Sequence, residues 1–293
     1  MRLYTAYQTK NPAYTRSTVC TPVGILVHTT DGQNPYAKRY VDAPDILGKN
    51  GNGNHWNKST ATKCMHAFVG KGKDGAVVVV NTLPYHKPCM GCGSGSKGSY
   101  NYDPHAYLQF EICEGPDSDT AYYREAITAA EEYCVHLCRL FGWTADDITS
   151  HAEAAYAGYA SDHADPAPYM RVFGDSMDDF RKRVAKRLAG STERFPPHKV
   201  TDTTPLNLRA GPATSFSKRG SIPVGAIVEA VPTQGSWMHV IYTDGTGKRL
   251  YGYASAKYLE AVPEQALPEP EPTDAEKLAI LWAHYKAQTG GGA

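Results

Sequence analysis

Residues 150–166, SHAEAAYAGYASDHADP, place His151, His163 and Asp165 in one short segment among small, flexible neighbours. Imidazole and carboxylate groups are common ligands of divalent metal ions. If His28, near the end of the apolar stretch GILVHTT, lies beside His151, then two imidazoles and the Asp165 carboxylate could hold a zinc ion. That set leaves one coordination position open, which is typical of catalytic zinc, because water bound there becomes a nucleophile near neutral pH.

Glu111 and His163 could complete such a site. In AYLQFEICE, the apolar positions 106, 108, 110 and 112 alternate with polar ones, so this strand turns one face to a core and Glu111 to the other. Glu111 could accept the proton of the attacking water, while His163 could stabilise the oxygen that becomes negative or protonate the leaving amine. On spacing alone a chance cluster is an open alternative, because the chain has eleven histidines.

The composition is that of a soluble globular protein long enough for two domains, with 293 residues, 41% hydrophobic and 20% charged. Lys+Arg and Asp+Glu both number 30, which gives no electrostatic argument for a nucleic-acid partner. No stretch approaches the roughly 18 apolar residues of a membrane span. The N-terminal segment lacks the apolar core of a secretory signal, so we expect synthesis in the cytoplasm without an export signal.

The seven cysteines are an odd number in a chain without an evident export signal, which indicates reduced thiols rather than a disulfide framework. Cys89 and Cys92 form a CxxC pair, but no second pair accompanies them. A lone pair supplies only half of the four ligands of a structural zinc site. Whether this pair binds a second metal is left open.

Residues 1–190 mix strand-like and helix-like patterns and predict an α/β or α+β domain. GILVHTT and GAVVVVN are short apolar stretches rich in β-branched residues and bounded by turns, which favours strands. Small and apolar residues recur at helical spacing over 120–141, and Gly142 stands where it could cap that helix. A second helix is expected from Ser176, whose spacing to Asp179 is close to that of a capping box.

Beyond a linker at 191–199 the helical periodicity ends. Residues 200–262 contain short strands and turns and predict a small all-β barrel. Residues 263–293 comprise a Pro- and Glu-rich linker followed by one amphipathic helix. Because that helix is close to the lower limit of about 12–15 residues for stability in water, it could pair with another chain, which would give self-association.

The chain resembles a known enzyme family through five motifs that occur in a fixed order: VHTTDG, CMHAFVGKGKDG, LPYHKPCMGCGSGSKGSYN, FEICEG and SHAEAAYAGYASDHADP. They are similar to those of zinc-dependent N-acetylmuramoyl-L-alanine amidases of the Amidase_2 type, which share a fold with peptidoglycan recognition proteins. The resemblance covers residues 20–188 and is closest to endolysins of phages and prophages of Gram-positive hosts. It implies a mixed central sheet flanked by helices, with the metal at the floor of a groove.

By this resemblance, His28, His151 and Asp165 correspond to the zinc ligands and Glu111 to the catalytic acid. Many relatives have Lys where this chain has His163. That departure leaves the role of His163 open, and it allows a register shift in which His163, rather than Asp165, is the third ligand.

The resemblance also implies that His66 and His86 line the groove and contact substrate. For His86, an ordinary loop histidine beside Tyr85 is an equal alternative. Relatives often have Trp where this chain has Tyr85, so the position stays aromatic.

The predicted barrel resembles a bacterial SH3 domain that binds cell walls, through LNLRAGPATSFSKRGSIPVGAIVEAV, GSWMHVIY and GYASAKYL. Its aromatic residues could stack on a peptide or a glycan, although Trp237 is as often a core residue. The candidates for wall contact are Trp237, Tyr251, Tyr253 and Tyr258. Seven basic and four acidic residues over 195–262 suit an anionic Gram-positive wall.

Together these features predict an endolysin that hydrolyses the amide bond between N-acetylmuramic acid and L-alanine in peptidoglycan, with Zn²⁺ as its cofactor. The alternative is a peptidoglycan-binding protein of the same fold that cuts nothing. The presence of His28, His151, Asp165 and Glu111 together favours the enzyme.

Overall fold

The N-terminal part of the protein is built on a six-stranded sheet. The computed structural model describes residues 1–191, 194–233 and 235–266. The strands of this sheet are β1 (Leu3–Thr5), β2 (Ile25–Thr29), β3 (Ala67–Lys71), β4 (Val77–Asn81), β5 (Leu108–Ile112) and β6 (Ile148–Ser150). Their order is β1-β4-β3-β5-β2-β6, with β3 and β4 antiparallel and the other pairs parallel. The predicted mixed central sheet is therefore confirmed.

Six helices accompany the sheet among the residues that the structure describes. They are α1 (Pro12–Thr15), α2 (Pro44–Leu47), α3 (Thr120–Phe141), α4 (His151–Ala157), α5 (Ala167–Val172) and α6 (Met177–Ala189). The predicted helix over 120–141 is confirmed, and Gly142 ends it in the left-handed conformation with φ 78°. The predicted start at Ser176 is also confirmed, because its side chain accepts a hydrogen bond from the Asp179 backbone N–H. Both ends follow the expected capping chemistry.

The two faces of the sheet have different chemistry. On one face, Ile25, Val27 and Phe110 belong to the main apolar core, which α3 and α6 complete. The opposite face carries Leu26 and His28 from β2 and Gln109 and Glu111 from β5, because neighbouring residues of a strand point to opposite sides. The predicted alternation in β5 is confirmed, but the second face is covered too, since every residue of β2 and β5 is buried.

The helices α3 and α6 are joined by ion pairs as well as by apolar contacts. Glu131 of α3 is 1% exposed, and its two carboxylate oxygens pair with Arg183 and Arg187 of α6. Burying a carboxylate without partners would be costly, so two guanidinium groups compensate for the loss of water. This contact fixes the helical layer behind the sheet.

The C-terminal part of the described chain is an antiparallel seven-stranded sheet. Its strands are β7 (Pro197–Val200), β8 (Leu206–Arg209), β9 (Lys218–Ile222), β10 (Ile227–Pro232), β11 (Trp237–Thr243), β12 (Arg249–Ser255) and β13 (Leu259–Ala261). Their order is β13-β7-β10-β11-β12-β8-β9, around a separate apolar core that includes Leu208, Val228 and Val240. The predicted all-β domain is confirmed, and its first strand begins at Pro197.

The barrel packs directly against the end of α3. Leu140 shares a small apolar cluster with Phe195 and Ile241. The ring of Phe141 meets that of His239 edge to face at a centroid distance of 4.7 Å. A Cβ atom added to Gly142 would lie 2.4 Å from the Tyr251 ring, so the backbone there approaches the barrel as closely as only glycine permits.

Two further expectations concern the C-terminal helix and membrane-spanning segments. The predicted C-terminal helix lies outside the described residues, which end at 266. Among the residues described, no helix is both long and apolar enough to cross a membrane.

Replacing Gly142 by alanine should destabilise both the end of α3 and its contact with the barrel. The left-handed backbone alone costs a non-glycine residue about 1–2 kcal/mol, and the new methyl group would also displace the Tyr251 ring. Urea unfolding should show a lower free energy of unfolding for Gly142→Ala, and part of the loss should be recovered in the double variant with Tyr251→Ala.

Gly190→Ala is the matched control, since Gly190 ends α6 with φ −94° and a Cβ there would lie no closer than 3.7 Å to its surroundings. Equal stabilities for Gly142→Ala and Gly190→Ala would contradict this account of the domain contact.

Candidate metal centre

His28 and His151 are brought together by the strand order. β6 lies directly beside β2, and His151 is the first residue of α4 immediately after β6. The turn is fixed locally, because Ser150 and Glu153 form a capping box in which each side chain accepts from the other residue's backbone N–H. On the other side of β2, β5 places Glu111 in register with His28. The strand order thus places His28, His151 and Glu111 at neighbouring positions at one end of the sheet.

Asp165 joins this group from the loop that follows α4. Its backbone carbonyl accepts a hydrogen bond from the N–H of Ala152, in the first turn of α4, at 3.0 Å. Its carboxylate oxygens lie 3.1 Å from His28 Nδ1 and 3.1 Å from His151 Nδ1. The two Nδ1 atoms are themselves 3.1 Å apart, and one ligand atom from each residue falls within 4.8 Å of the others. The structure therefore brings together the three ligands that were predicted.

The donor set fits a zinc ion. The outer nitrogen of His28, Nε2, contacts Gln109 Oε1 at 3.1 Å, and Nε2 of His151 contacts Ser161 Oγ at 3.4 Å. Both Nδ1 atoms therefore face the centre together with a carboxylate, and unprotonated nitrogens at this distance repel unless a cation lies between them. Two imidazoles and one carboxylate are a common protein ligand set of catalytic zinc.

The electrostatics of the site favour the metal-binding protonation states. Burial lowers the pKa of His28, more than its contact with Asp165 raises it. Burial alone would raise the pKa of Asp165, but the two imidazoles beside its carboxylate, His151 and His28, outweigh that effect and hold the pKa well below its usual value. Near neutral pH the carboxylate is thus ionised and His28 neutral, as a metal ligand requires.

Glu111 is a buried carboxyl group with an unused oxygen. It is 8% exposed, and its Oε2 has no hydrogen-bond partner within the described part of the chain. Burial, and secondarily the nearby negative charge of Asp165, raise its pKa to about 8. A carboxyl group that gains and loses a proton near neutral pH is suited to general acid–base catalysis.

His163 lies at the mouth of this centre rather than inside it. Its side chain is 60% exposed, and its ring stacks on that of His151 at a centroid distance of 4.8 Å. Its Nδ1 is 4.0 Å from Asp165 Oδ1. Of the two alternatives for the third ligand, Asp165 is the residue that the structure places among the donor atoms.

The two histidines predicted to contact substrate occupy different surroundings. His66 is 1% exposed, its Nδ1 accepts from the Gln109 backbone N–H and its Nε2 donates to the Lys87 carbonyl, so it leaves no atom for a ligand. Burial lowers its pKa to about 4. His86 instead lines a cavity of about 200 Å³ between the two domains, which includes His239 and Tyr253. The structure thus brings neither residue into contact with the candidate ligands.

The aromatic residues predicted to bind the wall fall into two pairs. Tyr253 is 2% exposed and lines the cavity between the domains, while Tyr251 packs against Gly142. These two side chains are used for domain contact, because they lie on the β12 surface that faces α3. Trp237 and Tyr258 are half-buried, like Tyr251, but have no such domain contact within the described residues, so they remain the candidates for wall contact.

Gln109 and Ser161 were not identified from the sequence, although they hold the outer nitrogens of both histidines. The signal for Gln109 was present, because it stands two residues before Glu111 and shares its strand face. All seven cysteines are buried and unpaired. Cys89 and Cys92 belong to no group of three potential metal ligands among the described residues.

Three solved structures are similar to part of the chain at low sequence identity. The Staphylococcus aureus hydrolase AmiA, solved in complex with its ligand, is 19% identical with a TM-score of 0.46 and is matched over 64% of this chain and 83% of that one. The catalytic domain of XlyA is 18% identical, TM-score 0.42, over 63% and 99%. The PlyG catalytic domain is 18% identical, TM-score 0.43, over 66% and 99%.

A comparison with curated proteins gave no match. Residues 204–260 match the family model described as "Bacterial SH3 domain". That match covers strands β8 to β12 and confirms the SH3-like barrel predicted from the sequence.

Proposed function

We propose that the protein is a peptidoglycan hydrolase that cuts the amide bond between N-acetylmuramic acid and L-alanine, with Zn²⁺ as its cofactor. The observation that carries this proposal is the convergence of His28, His151 and Asp165 around one point, with the buried Glu111 on the adjacent strand. The motif order, which resembles zinc amidases, supplies the substrate class. His28, His151 and Asp165 would hold the ion.

When bound in such a site, zinc polarises a carbonyl oxygen and lowers the pKa of water. Glu111 accepts the proton of the water that attacks the amide carbon, because its Oε2 is buried, has no hydrogen-bond partner among the described residues and lies on the same sheet face as His28. His163, exposed at the mouth, donates to the oxygen that becomes negative or to the leaving amine. The surrounding burial keeps competing solvent away from these groups.

The bacterial SH3 segment supports a role at the cell wall. We infer that the barrel holds the hydrolase on peptidoglycan, which raises the local concentration of substrate by keeping the second binding event intramolecular. Trp237 and Tyr258 are half-buried aromatic residues that keep some surface available for this contact. Self-association through residues 263–293 stays a prediction.

Purified Gram-positive walls should lose turbidity and release free N-terminal L-alanine when the protein is added. Removing the metal with a chelator should stop both changes, and added zinc should restore them. His151→Ala should lose stoichiometric zinc and more than about 100-fold of the activity, since it removes a ligand rather than a supporting contact.

His55→Ala is the control, because His55 is partly buried but has no contact with the three candidate ligands. Walls that stay intact under every condition while the protein sediments with them would favour the alternative function, a peptidoglycan binder that cuts nothing.

Glu111→Gln should separate catalysis from metal binding. The amide has nearly the same shape as the carboxyl group but cannot accept a proton, so the rate should fall about 10²–10⁴-fold while zinc stays stoichiometric. The measurement is kcat on soluble muramyl peptide, paired with metal analysis of the same sample. A variant with full activity would exclude Glu111 as the general base.

The metal-free protein should lose stability as the pH rises through the range in which Glu111 ionises. Because burial raises its pKa from 4.5 to about 8, the folded state binds a proton that the unfolded chain has released. The free energy of unfolding should therefore fall between about pH 4.5 and pH 8 and then level off. Denaturant unfolding with chelator at several pH values should show a smaller fall for Glu111→Gln. Identical pH profiles for the two proteins would contradict the assignment.

A further inference from the structure

We propose that Gln109 and Ser161 are positioning residues that present His28 and His151 to a metal ion through Nδ1, and that the glycine-rich loop 91–101 holds both of them. The inference rests on the proposed zinc function and extends it to residues with no assigned role.

Gln109 is the contact that orients His28. Its side chain is completely buried, and its Oε1 lies 3.1 Å from His28 Nε2. Its amide nitrogen donates to Asn101 Oδ1 at 3.0 Å and to the Tyr100 carbonyl at 3.2 Å. Both N–H groups of the amide are therefore used, so its oxygen must face the histidine.

This hydrogen bonding fixes the tautomer of His28. A carboxamide oxygen only accepts, so Nε2 of His28 must carry the proton and Nδ1 must carry the lone pair. That lone pair points to His151 Nδ1 and Asp165 Oδ2, both at 3.1 Å. The neutral ring is thus held with its metal-binding nitrogen toward the centre, without a proton that the metal would have to displace.

Ser161 does the same for His151 from the other side. Its single hydroxyl proton is donated to the Cys92 carbonyl at 3.0 Å, so the oxygen is left to accept from His151 Nε2 at 3.4 Å. The backbone N–H of Ser161 donates to the same carbonyl at 2.8 Å. Nε2 of His151 is therefore the protonated nitrogen, and its Nδ1 also faces the centre.

The hydrogen bonds that hold Gln109 and those that hold Ser161 both come from one loop, residues 91–101. The Asn101 side chain that receives Gln109 also accepts from the Gly91 N–H at 3.1 Å and donates to the Gly93 carbonyl at 3.2 Å. Two glycines allow the loop to approach closely. A Cβ on Gly93 would lie 2.7 Å from Ser161 Oγ, and a Cβ on Gly95 would lie 2.5 Å from the Gly158 backbone.

This arrangement gives the CxxC motif a different role from metal binding. Cys92 is completely buried, and its Sγ lies 3.4 Å from Asn101 Oδ1, inside the same network. Its carbonyl supports Ser161. The loop therefore acts on the metal centre through backbone and amide groups rather than through thiolates.

Zinc affinity is the first test. Gln109→Leu should bind zinc about 10–100-fold more weakly than the wild type in competition with a chromophoric chelator, because residues that orient a ligand typically contribute that much. Gln109→Glu keeps an acceptor for His28 while losing both donated bonds, so it should recover part of the affinity. Ser161→Ala should show a smaller loss, since its contact is longer.

Gln8→Leu is the matched control, because Gln8 is 2% exposed and its amide bonds to the Ala6 carbonyl, away from the centre. It reports the general cost of removing a buried amide. Equal zinc affinities for Gln109→Leu and Gln8→Leu would overturn the proposal.

The second test measures the histidine tautomers in the metal-free protein and does not depend on enzymatic activity. In ¹⁵N spectra of the metal-free protein labelled at histidine, His28 should show the form protonated at Nε2, and Gln109→Leu should show a mixture of both forms. An unchanged His28 signal would overturn the role of Gln109. A wild type that binds no zinc would instead overturn the proposed function, while the spectra would still decide whether Gln109 sets the tautomer.

Discussion

The contact on which the rest of the structure depends is the meeting of two imidazole nitrogens and one carboxylate in a buried site. His28 Nδ1 and His151 Nδ1 lie 3.1 Å apart, and the Asp165 carboxylate touches both. When both Nδ1 atoms carry lone pairs, they repel each other at that distance, and a cation between them would relieve the repulsion. The fold therefore holds three residues that could bind a cation in one place, and the surrounding layers supply the rigidity that such a geometry requires.

That rigidity comes from the contacts that cover both faces of the central sheet. The face toward α3 and α6 is apolar and is reinforced by the buried pairing of Glu131 with Arg183 and Arg187. On the opposite face, β2 and β5 carry polar groups that contact loops, among them the glycine-rich segment 91–101. Phe68, Val78 and Val80 of β3 and β4 form a second apolar cluster on that face. The same burial lowers the pKa of His28 and raises that of Glu111 to about 8. Burial thus favours the uncharged form of both side chains.

The barrel also forms a contact with the N-terminal domain. Tyr251 and Tyr253, which the sequence suggested for wall contact, are used against α3 and the cavity between the domains. The ring of Phe141 at the end of α3 also packs against His239 of the barrel. The surface of β12 that carries Tyr251 and Tyr253 is therefore the part of the barrel that contacts the N-terminal domain. Its half-buried residues Trp237 and Tyr258 stay the candidates for the proposed wall contact.

The sequence by itself determined the local elements. The alternation around Glu111, the helix over 120–141 and its glycine end, the cap at Ser176 and the SH3-like barrel all follow from short-range patterns, because periodicity and capping depend on neighbours in the chain. The ordered motifs also selected His28, His151 and Asp165 as candidate ligands.

Only the tertiary structure decided which side chains meet. The strand order β6-β2-β5 sets His151 and Glu111 on either side of His28, and no local pattern encodes that order. It also placed His66 in the interior, His86 at the domain contact, and Gln109 and Ser161 behind the two imidazoles. These outcomes depend on strand register and loop packing between residues far apart in sequence, where one shift moves a side chain to the other face of a sheet.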